Sequence, residues 1–316
     1  MSAFVKPQSW MVILNPNAGN RKAAKDWPHL SQLLKKQDVA FEYLQTEHKG
    51  HALTLTQQAI ESGFRNFLAI GGDGTLNEVV NGIFMQNIPT SEFKVAMVPV
   101  GTGNDWCRTF KVPFDYAGAI KLVAEGNSFL QDVGLVTYFE DAEPKKRYFV
   151  NIAGMGYDAE VARKTNLRKD QGKGGPLSYL ISLFTSLLYY KFTKLTILTD
   201  YETCSCKAFS LSIGICKYNG GGMKQLPNAI PNDGIFDSTL IKKIGKFTVI
   251  TQLKNLYDGS FISHPKIKTF TGKAFHVESD PAVLLEVDGE SMGHSPFEFN
   301  ILPSSLNVIV PKGITF

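Results

Sequence analysis

The sequence predicts a two-part chain: an α/β domain with a parallel sheet over residues 1–126, then a mainly antiparallel β domain over 127–316. Three observations carry this. Strand-like and helix-like periods alternate through the front part. The rear part is dominated by short β-rich runs set off by turn residues. And 316 residues is the length of about two domains, at roughly 100–200 residues each.

In the front part, β-rich runs lie at 10–14, 39–45, 66–70 and 95–98. Helical patterns at 25–36, 50–62 and 75–85 fill the intervals, and a fourth follows at 115–125. Strands alternating with helices of this length argue for βαβ units and hence a parallel sheet. Each strand is followed by Gly, Asn, Asp or Thr, so polar and flexible residues collect at the strands' carboxyl ends. In open α/β sheets that edge binds ligands. In the rear part, strand-like runs lie at 129–138, 147–152, 195–199, 208–215, 235–241, 274–278, 283–287 and 306–310. Helical segments intervene at 157–166, 177–190 and 247–257, and residues 140–147, EDAEPKKR, read as an exposed hairpin loop. The last residues are free to pack back on the first domain.

Composition excludes several classes. Hydrophobic residues at 43% and charged residues at 20% allow ordinary cores and argue against whole-chain disorder. The 33 Lys and Arg against 29 Asp and Glu leave a net charge of +4, too mild for a nucleic-acid binder. Four Cys without zinc-type spacing exclude a disulfide scaffold and read as small hydrophobes in a reducing compartment. The apolar run at 10–14 is too short for a signal peptide. The run 177–190 falls short of the about 20 residues that cross a bilayer. The expectation is a cytoplasmic protein, attached at most to the inner face of a membrane.

The most informative string is Gly71-Gly72-Asp73-Gly74-Thr75-Leu76-Asn77-Glu78, between a strand and an amphipathic helix. Three glycines in four positions let the backbone turn sharply and expose its N–H groups. Thr75 and Glu78 have capping-box spacing, which would start the helix there. A helix amino end beside such a turn suits phosphate, although a plain well-capped connection has the same string. Gly101-Thr102-Gly103-Asn104-Asp105 repeats the logic after the 95–98 strand, again with a Thr-x-x-Asp cap pattern. Asn15-Pro16-Asn17-Ala18-Gly19 follows the first strand. In a parallel sheet these three loops converge. No P-loop string is present, no G-x-G-x-x-G follows the first strand, and no protein-kinase catalytic string occurs.

These residues resemble the diacylglycerol kinase catalytic-domain family, in particular its soluble bacterial lipid kinases, relatives of sphingosine and ceramide kinases. The matching strings run nearly the full chain: NPNAG (15–19), GGDGTLNEVVNG (71–82), PVGTGND (99–105), GMGYDAEV (154–161), GGGMKQLPNAIPNDGIFD (220–237) and VDGE (287–290). GGDGT alone is shared with NAD kinases and phosphofructokinases. The resemblance implies a Rossmann-like, phosphofructokinase- and NAD-kinase-like front domain, a β-sandwich rear domain, and an active site in a cleft between them. It implies ATP as phosphate donor, held by Asn15, Thr46, Gly71, Gly72, Asp73, Gly74, Thr75, Leu76, Asn77 and Glu78, and by Gly101, Thr102, Gly103, Asn104 and Asp105.

The resemblance also implies Mg²⁺ on the side chain of Asp233 and the carbonyls of Ile230 and Ile235, within the loop Pro227 to Gly234. One carboxylate plus carbonyls suits a hard cation that keeps several waters. Asn-Asp-Gly is equally an ordinary turn. Glu290 corresponds to the family's proton acceptor, while Asp-Gly between β-runs is also a hairpin turn that would leave Glu290 a solvated charge. Asp73, in a catalytic role, and Asp105 would face the magnesium, or else cap helices. Ala18, Pro231 and Trp106 depart from the commoner family residues without removing a presumed catalytic group.

The implied function is transfer of the γ-phosphate of ATP to the hydroxyl of a membrane lipid such as diacylglycerol. A soluble acceptor, as in NAD kinases, and a non-catalytic nucleotide or lipid sensor are the rival readings. The basic run Arg163, Lys164, Arg168, Lys169 and Lys173, leading into the apolar segment 177–190, reads either as a contact for anionic lipid or as a solvated helix end before a core helix. A lipid substrate at a membrane surface, no nucleic acid, and an open question of homodimerisation complete the expectations about partners.

Overall fold

The computed structural model describes residues 9–171 and 176–316, excluding the side chains of residues 169, 170 and 176–180. Lys173 and the side chain of Lys169, both part of the basic run, lie outside the described residues, as does the beginning of the apolar segment 177–190. The chain forms two compact units, one of Met1–Gln131 with Ser304–Phe316, the other of Asp132–Pro303.

The first unit runs β1 (Trp10–Leu14), α1 (Ala18–Lys36), β2 (Phe41–Gln45), α2 (His51–Glu61), β3 (Asn66–Gly71), α3 (Asp73–Phe84), β4 (Lys94–Pro99), α4 (Asp105–Thr109) and α5 (Tyr116–Glu125). Strands β2, β1, β3 and β4 lie side by side in that order, every pair parallel. Asn307 and Val308 from the chain's last strand extend the sheet alongside Lys94 and Val95. All of β1 and β3 is buried, as expected of central strands covered on both faces, whereas β2 at the edge is half-exposed. Helix α1 begins earlier than its sequence pattern, but Gly19, Asn20 and Arg21 are left-handed at φ 61°, 59° and 66°. Its regular turns therefore start only beyond them.

The second unit takes up the chain within β5 (Ser128–Glu140). It continues through β6 (Glu143–Phe149), β7 (Ile152–Gly156), α6 (Tyr157–Asp170), α7 (Pro176–Tyr189), β8 (Thr193–Thr199), β9 (Thr203–Gly214), β10 (Phe236–Lys242), α8 (Lys246–Asp258), β11 (Ile267–Gly272), β12 (Ala274–Asp280), β13 (Leu284–Val287) and β14 (Glu290–Ile309). Antiparallel pairing runs β7–β13–β14–β12–β8–β9 and returns from β9 to β7, so these strands close a circuit. Closure leaves this circuit no free edge. It encloses a core rich in phenylalanine, including Phe149, Phe236, Phe275, Phe297 and Phe299.

The expected loop at 140–147 is mostly strand. β5 reaches Glu140, β6 starts at Glu143, and only Asp141 and Ala142 turn, at φ 50° and 65°. The cause is composition: Glu143 to Lys146 expose every side chain, so no apolar alternation marks the strand. None of the helices among the described residues is long and apolar enough to cross a membrane.

Candidate functional site

In the first unit the loops after β1, β3 and β4 meet. The amide of Asn15 donates to the Ile70 carbonyl at 3.0 Å, and the amides of Val100 and Gly101 donate to the Gly71 carbonyl at 2.8 and 2.9 Å. Asn15 Nδ2 donates to Thr75 Oγ1 at 3.0 Å, tying the first loop to the second. A Cβ placed on Gly101 would lie 2.6 Å from the Gly72 Cα. The second and third loops therefore touch backbone to backbone, and only glycine permits it. The Thr46 amide donates to the Leu14 carbonyl at 2.9 Å, which sets the buried Thr46 at the same sheet edge.

Both cap patterns read from the sequence fail, for one reason: each helix starts at a different residue. Helix α3 begins at Asp73 with Gly72 as its N-cap, and no side chain caps it. Glu78 then sits in the second turn, out of reach of its own helix start. Its carboxylate instead accepts from the amides of Gly50 and Ala52 at 2.9 and 3.0 Å, capping α2. Helix α4 takes the left-handed Asn104 as N-cap, without a side-chain bond, so Thr102 does not cap it. Thr75 and Leu76 donate to the Gly72 carbonyl, so what the start of α3 offers an anion is the amides of the Gly72–Gly74 turn and the positive end of the helix dipole.

Asp73 spans two of the loops. Its carboxylate accepts from the amides of Asp105 at 3.2 Å and Trp106 at 3.1 Å. Burial pushes its carboxyl above the usual range, while those amide bonds pull the other way. Asp105 is buried and paired with Arg108 at 3.5 Å. Leu76 and Asn77 are buried, with Asn81 donating to the Asn77 carbonyl at 2.8 Å. Any contact Leu76 makes to a bound anion thus falls to its main chain. Asn104 Nδ2 donates to the Gly101 carbonyl at 2.8 Å, and its buried Oδ1 has no hydrogen-bond partner among the described residues.

In the second unit, Asp288 and Gly289 form a two-residue hairpin turn at φ 48° and 86°, and Val287 pairs with Glu290. Positive φ at both positions is the signature of a type I′ turn. The buried Asp288 carboxylate accepts from the amides of Val150 and Asn151 at 3.0 Å and of Ile152 at 3.2 Å, which pins the turn to the start of β7. Asn166 donates to the Gly289 carbonyl at 3.2 Å from the other side. Glu290, half-buried, is the first residue after this fixed turn.

Two further acids stand beside the turn, and the sequence analysis missed both as site residues. Glu286 accepts from the Gly289 amide and from Asn219 Nδ2 at 3.2 Å. Asp158 accepts from Ser212 Oγ at 3.1 Å. A Cβ on Gly154 would lie 2.8 Å from Glu286 Oε2 and 3.0 Å from the Asp158 Cβ, so the two acids share one small space. Burial, with the Asp158 and Asp288 charges adding to it, pushes Glu286 up to about 8. Burial pushes Asp158 to about 6, against its bond from Ser212. The available signal was a lone acid in the apolar run Leu284-Leu285-Glu286-Val287.

The loop from Pro227 to Gly234 is held at Asp132, whose carboxylate accepts from the Gly234 amide and whose amide donates to the Pro231 carbonyl, both at 2.8 Å. Ile230 and Asp233 are exposed, and Asp233 accepts from the Ile235 amide at 3.2 Å. Burial and the neighbouring Asp233 charge raise Asp237 to about 6, with Lys217 opposing. Among the described residues no three His, Cys, Asp or Glu side chains gather to hold a metal ion. A cation here would rest on Asp233 with main-chain carbonyls, and this oxygen-only donor set fits a hard divalent ion.

A parallel α/β unit with glycine loops gathered at one sheet edge, followed by an antiparallel β unit with acids beside a fixed turn, is the architecture against which known proteins are compared. Residues 9–136 match the diacylglycerol kinase catalytic domain, and residues 151–310 match the YegS C-terminal NAD kinase beta sandwich-like domain. Diacylglycerol kinase of Staphylococcus aureus (strain MRSA252) is 30% identical over 304 residues, covering 96% of this chain and 92% of that protein. The diacylglycerol kinase of Staphylococcus haemolyticus (strain JCSC1435) is 30% identical over the same 304 residues, with 96% and 88% covered. A solved structure from Bacillus anthracis str. Sterne shares the fold, with a TM-score of 0.78 at 24% identity over 98% of this chain and 99% of that one. The chain belongs to the diacylglycerol kinase catalytic-domain family, and it is a kinase.

Proposed function

We propose that the chain transfers the γ-phosphate of ATP to a hydroxyl of a membrane lipid, diacylglycerol being the acceptor its relatives' names point to. The observation that carries the nucleotide half is the meeting of three loops at an uncapped helix start. Amides of the Gly72–Gly74 turn and of Thr102 and Gly103 take the phosphates, because those of Thr75, Leu76 and Gly101 already donate to main-chain carbonyls, and Asn15 and Thr46 stand at the rim. Glu78 stays out of the nucleotide contacts, because α2 holds its carboxylate. Asp73 keeps the second and third loops in register by accepting from the amides of Asp105 and Trp106. Magnesium, when bound, neutralises charge on the transferring phosphoryl group. Asp233, with the carbonyls of Ile230 and Ile235, would hold it.

Glu290 takes the proton of the lipid hydroxyl as its oxygen bonds to the γ-phosphorus and the bond to the ADP oxygen breaks. The turn before it is fixed by amide bonds on Asp288 and Glu286, so the carboxylate is presented without further ordering. The test uses labelled ATP with diacylglycerol in mixed micelles and, separately, with NAD. We expect lipid labelling, lowered roughly 10²–10⁴-fold by Glu290→Ala with nucleotide affinity kept. Asp73→Ala should lower both turnover and nucleotide affinity. Full activity in either variant removes the assigned role, and labelling of NAD alone transfers the function to a soluble acceptor.

A further inference from the structure

Buried hydroxyls in native proteins are almost always hydrogen-bonded, and an exception asks for a reason. Ser186 of α7 is such an exception: it is 1% exposed, and its Oγ has no partner among the described residues. A helical serine can bond back to the carbonyl one turn earlier, as its neighbour Thr185 does to Ile181 at 2.7 Å. Ser186 instead lines a cavity of about 360 Å³ between α6, the end of α7 and the start of β13.

The cavity is rich in donors. Lys164 and Lys191 stand in its wall, and Lys191 makes no ion pair among the described residues. Gly156, at φ 80°, opens the floor to the Tyr190 hydroxyl, which a Cβ there would meet at 2.8 Å. Burial, with the Asp158 and Glu160 charges adding to it, pushes that hydroxyl above the usual tyrosine range, so it stays protonated and can donate. Glu160 is the acid in the described wall, and it is already met by Arg163 at 2.9 Å and Lys164 at 3.7 Å. That pairing accounts for two members of the basic run singled out from the sequence, and it leaves Lys191 as the unopposed charge.

Two hydroxyls and two ammonium groups around one cavity suit an anion with several acceptor oxygens. A phosphate monoester carries three strong acceptors against two on a carboxylate, and its bonds from lysine are charge-assisted. Val283 and Leu284 add an apolar wall that takes the carbon atoms of the ester. A volume of about 360 Å³ lies at the small end of ligand pockets, which is room for a short soluble ester and not for a two-tailed lipid.

We propose that the α6–α7 cavity binds a small soluble phosphate monoester, held by Ser186, Tyr190, Lys164 and Lys191. The site belongs to the second unit alone and stands on its own geometry, so its failure leaves the kinase reading intact. The full chain is titrated calorimetrically with glycerol 3-phosphate after the glycine loops are saturated with a non-hydrolysable ATP analogue.

One further site is expected. Its affinity should fall about tenfold or more with Lys191→Glu and about fivefold with Ser186→Ala, with affinity for the analogue kept in both. Ser186→Ala also separates a binding role from a structural one. Removing a partnerless buried hydroxyl should leave the melting temperature of the ligand-free chain unchanged or raised, and should shrink the rise that glycerol 3-phosphate gives the parent. A lowered melting temperature without ligand would mean that the hydroxyl serves the fold, and it overturns the proposal. So does the absence of binding beyond the glycine loops, or binding that neither variant weakens. Displacement of the probe by phosphatidylglycerol vesicles overturns it as well, because the cavity then takes a lipid headgroup and not a soluble ester.

Discussion

In the first unit, Asp73 and Glu78 accept hydrogen bonds from the amides at the starts of α4 and α2, and the groups proposed to bind an anion are main-chain N–H donors. In the second unit the order is inverted. Backbone amides of residues 150–152 and 289 serve to hold Asp288 and Glu286, and the candidate chemistry lies in carboxyl groups on or beside a turn. Each arrangement matches the charge it has to meet. A polyphosphate needs donors and close approach, which glycine backbone supplies. A hydroxyl or a cation needs carboxylate, which must be kept from wandering.

The sharpest separation of the two units is by pH. Glu286 holds its proton in the fold up to about 8, whereas the unfolded chain releases it near the ordinary glutamate value of 4.5. The folded state binds the extra proton across that window, so stability declines as pH rises from about 4.5 to 8. Glu286→Gln removes a penalty on the order of a few kcal/mol at pH 8. Thermal unfolding at pH 5, 7 and 9 should show the wild type losing melting temperature and the variant staying flatter. Matching pH curves for the two would show that Glu286 is not buried with a retained proton.

Next in size is Gly101→Ala. The added Cβ would stand 2.6 Å from the Gly72 Cα and 2.8 Å from Asn104 Oδ1, so two loop backbones have to separate. A loss of about 1–3 kcal/mol in stability is expected, together with weaker nucleotide binding by calorimetry. A variant that binds nucleotide as well as the parent breaks the contrast, since the first unit would not then depend on backbone contact.

The smallest effect separates positioning from binding within the first unit. Glu78→Ala should cost about 1 kcal/mol, the usual loss of a helix cap, and leave the KM for ATP unchanged. A raised KM at unchanged stability would return Glu78 to the nucleotide contacts.

Much of this was open to reading from the chain. The parallel order of β1, β3 and β4 followed from alternating periods, and the meeting of the three glycine loops followed from the parallel order. The hairpin at Asp288-Gly289 was legible because that dipeptide favours positive φ. The β6 strand was not, since its first residues are polar on both faces. Glu78 misled because a capping box is a local pattern, whereas its partners Gly50 and Ala52 lie 28 and 26 residues away. Ser186 reads in sequence as one polar position in an apolar helix, because hydropathy reports where a hydroxyl falls and not whether it finds a partner.

The sequence by itself determined the period of each element, the bends that glycine allows, and the family strings in their order. Such features depend on residues a few positions apart, where backbone geometry and side-chain spacing leave few alternatives. Tertiary structure decided which helix each carboxylate caps, that Glu286 and Asp158 share the space over Gly154, and that the Ser186 hydroxyl faces a cavity. Those outcomes depend on burial and on partners from distant parts of the chain, which come together only when the packed strands and helices meet.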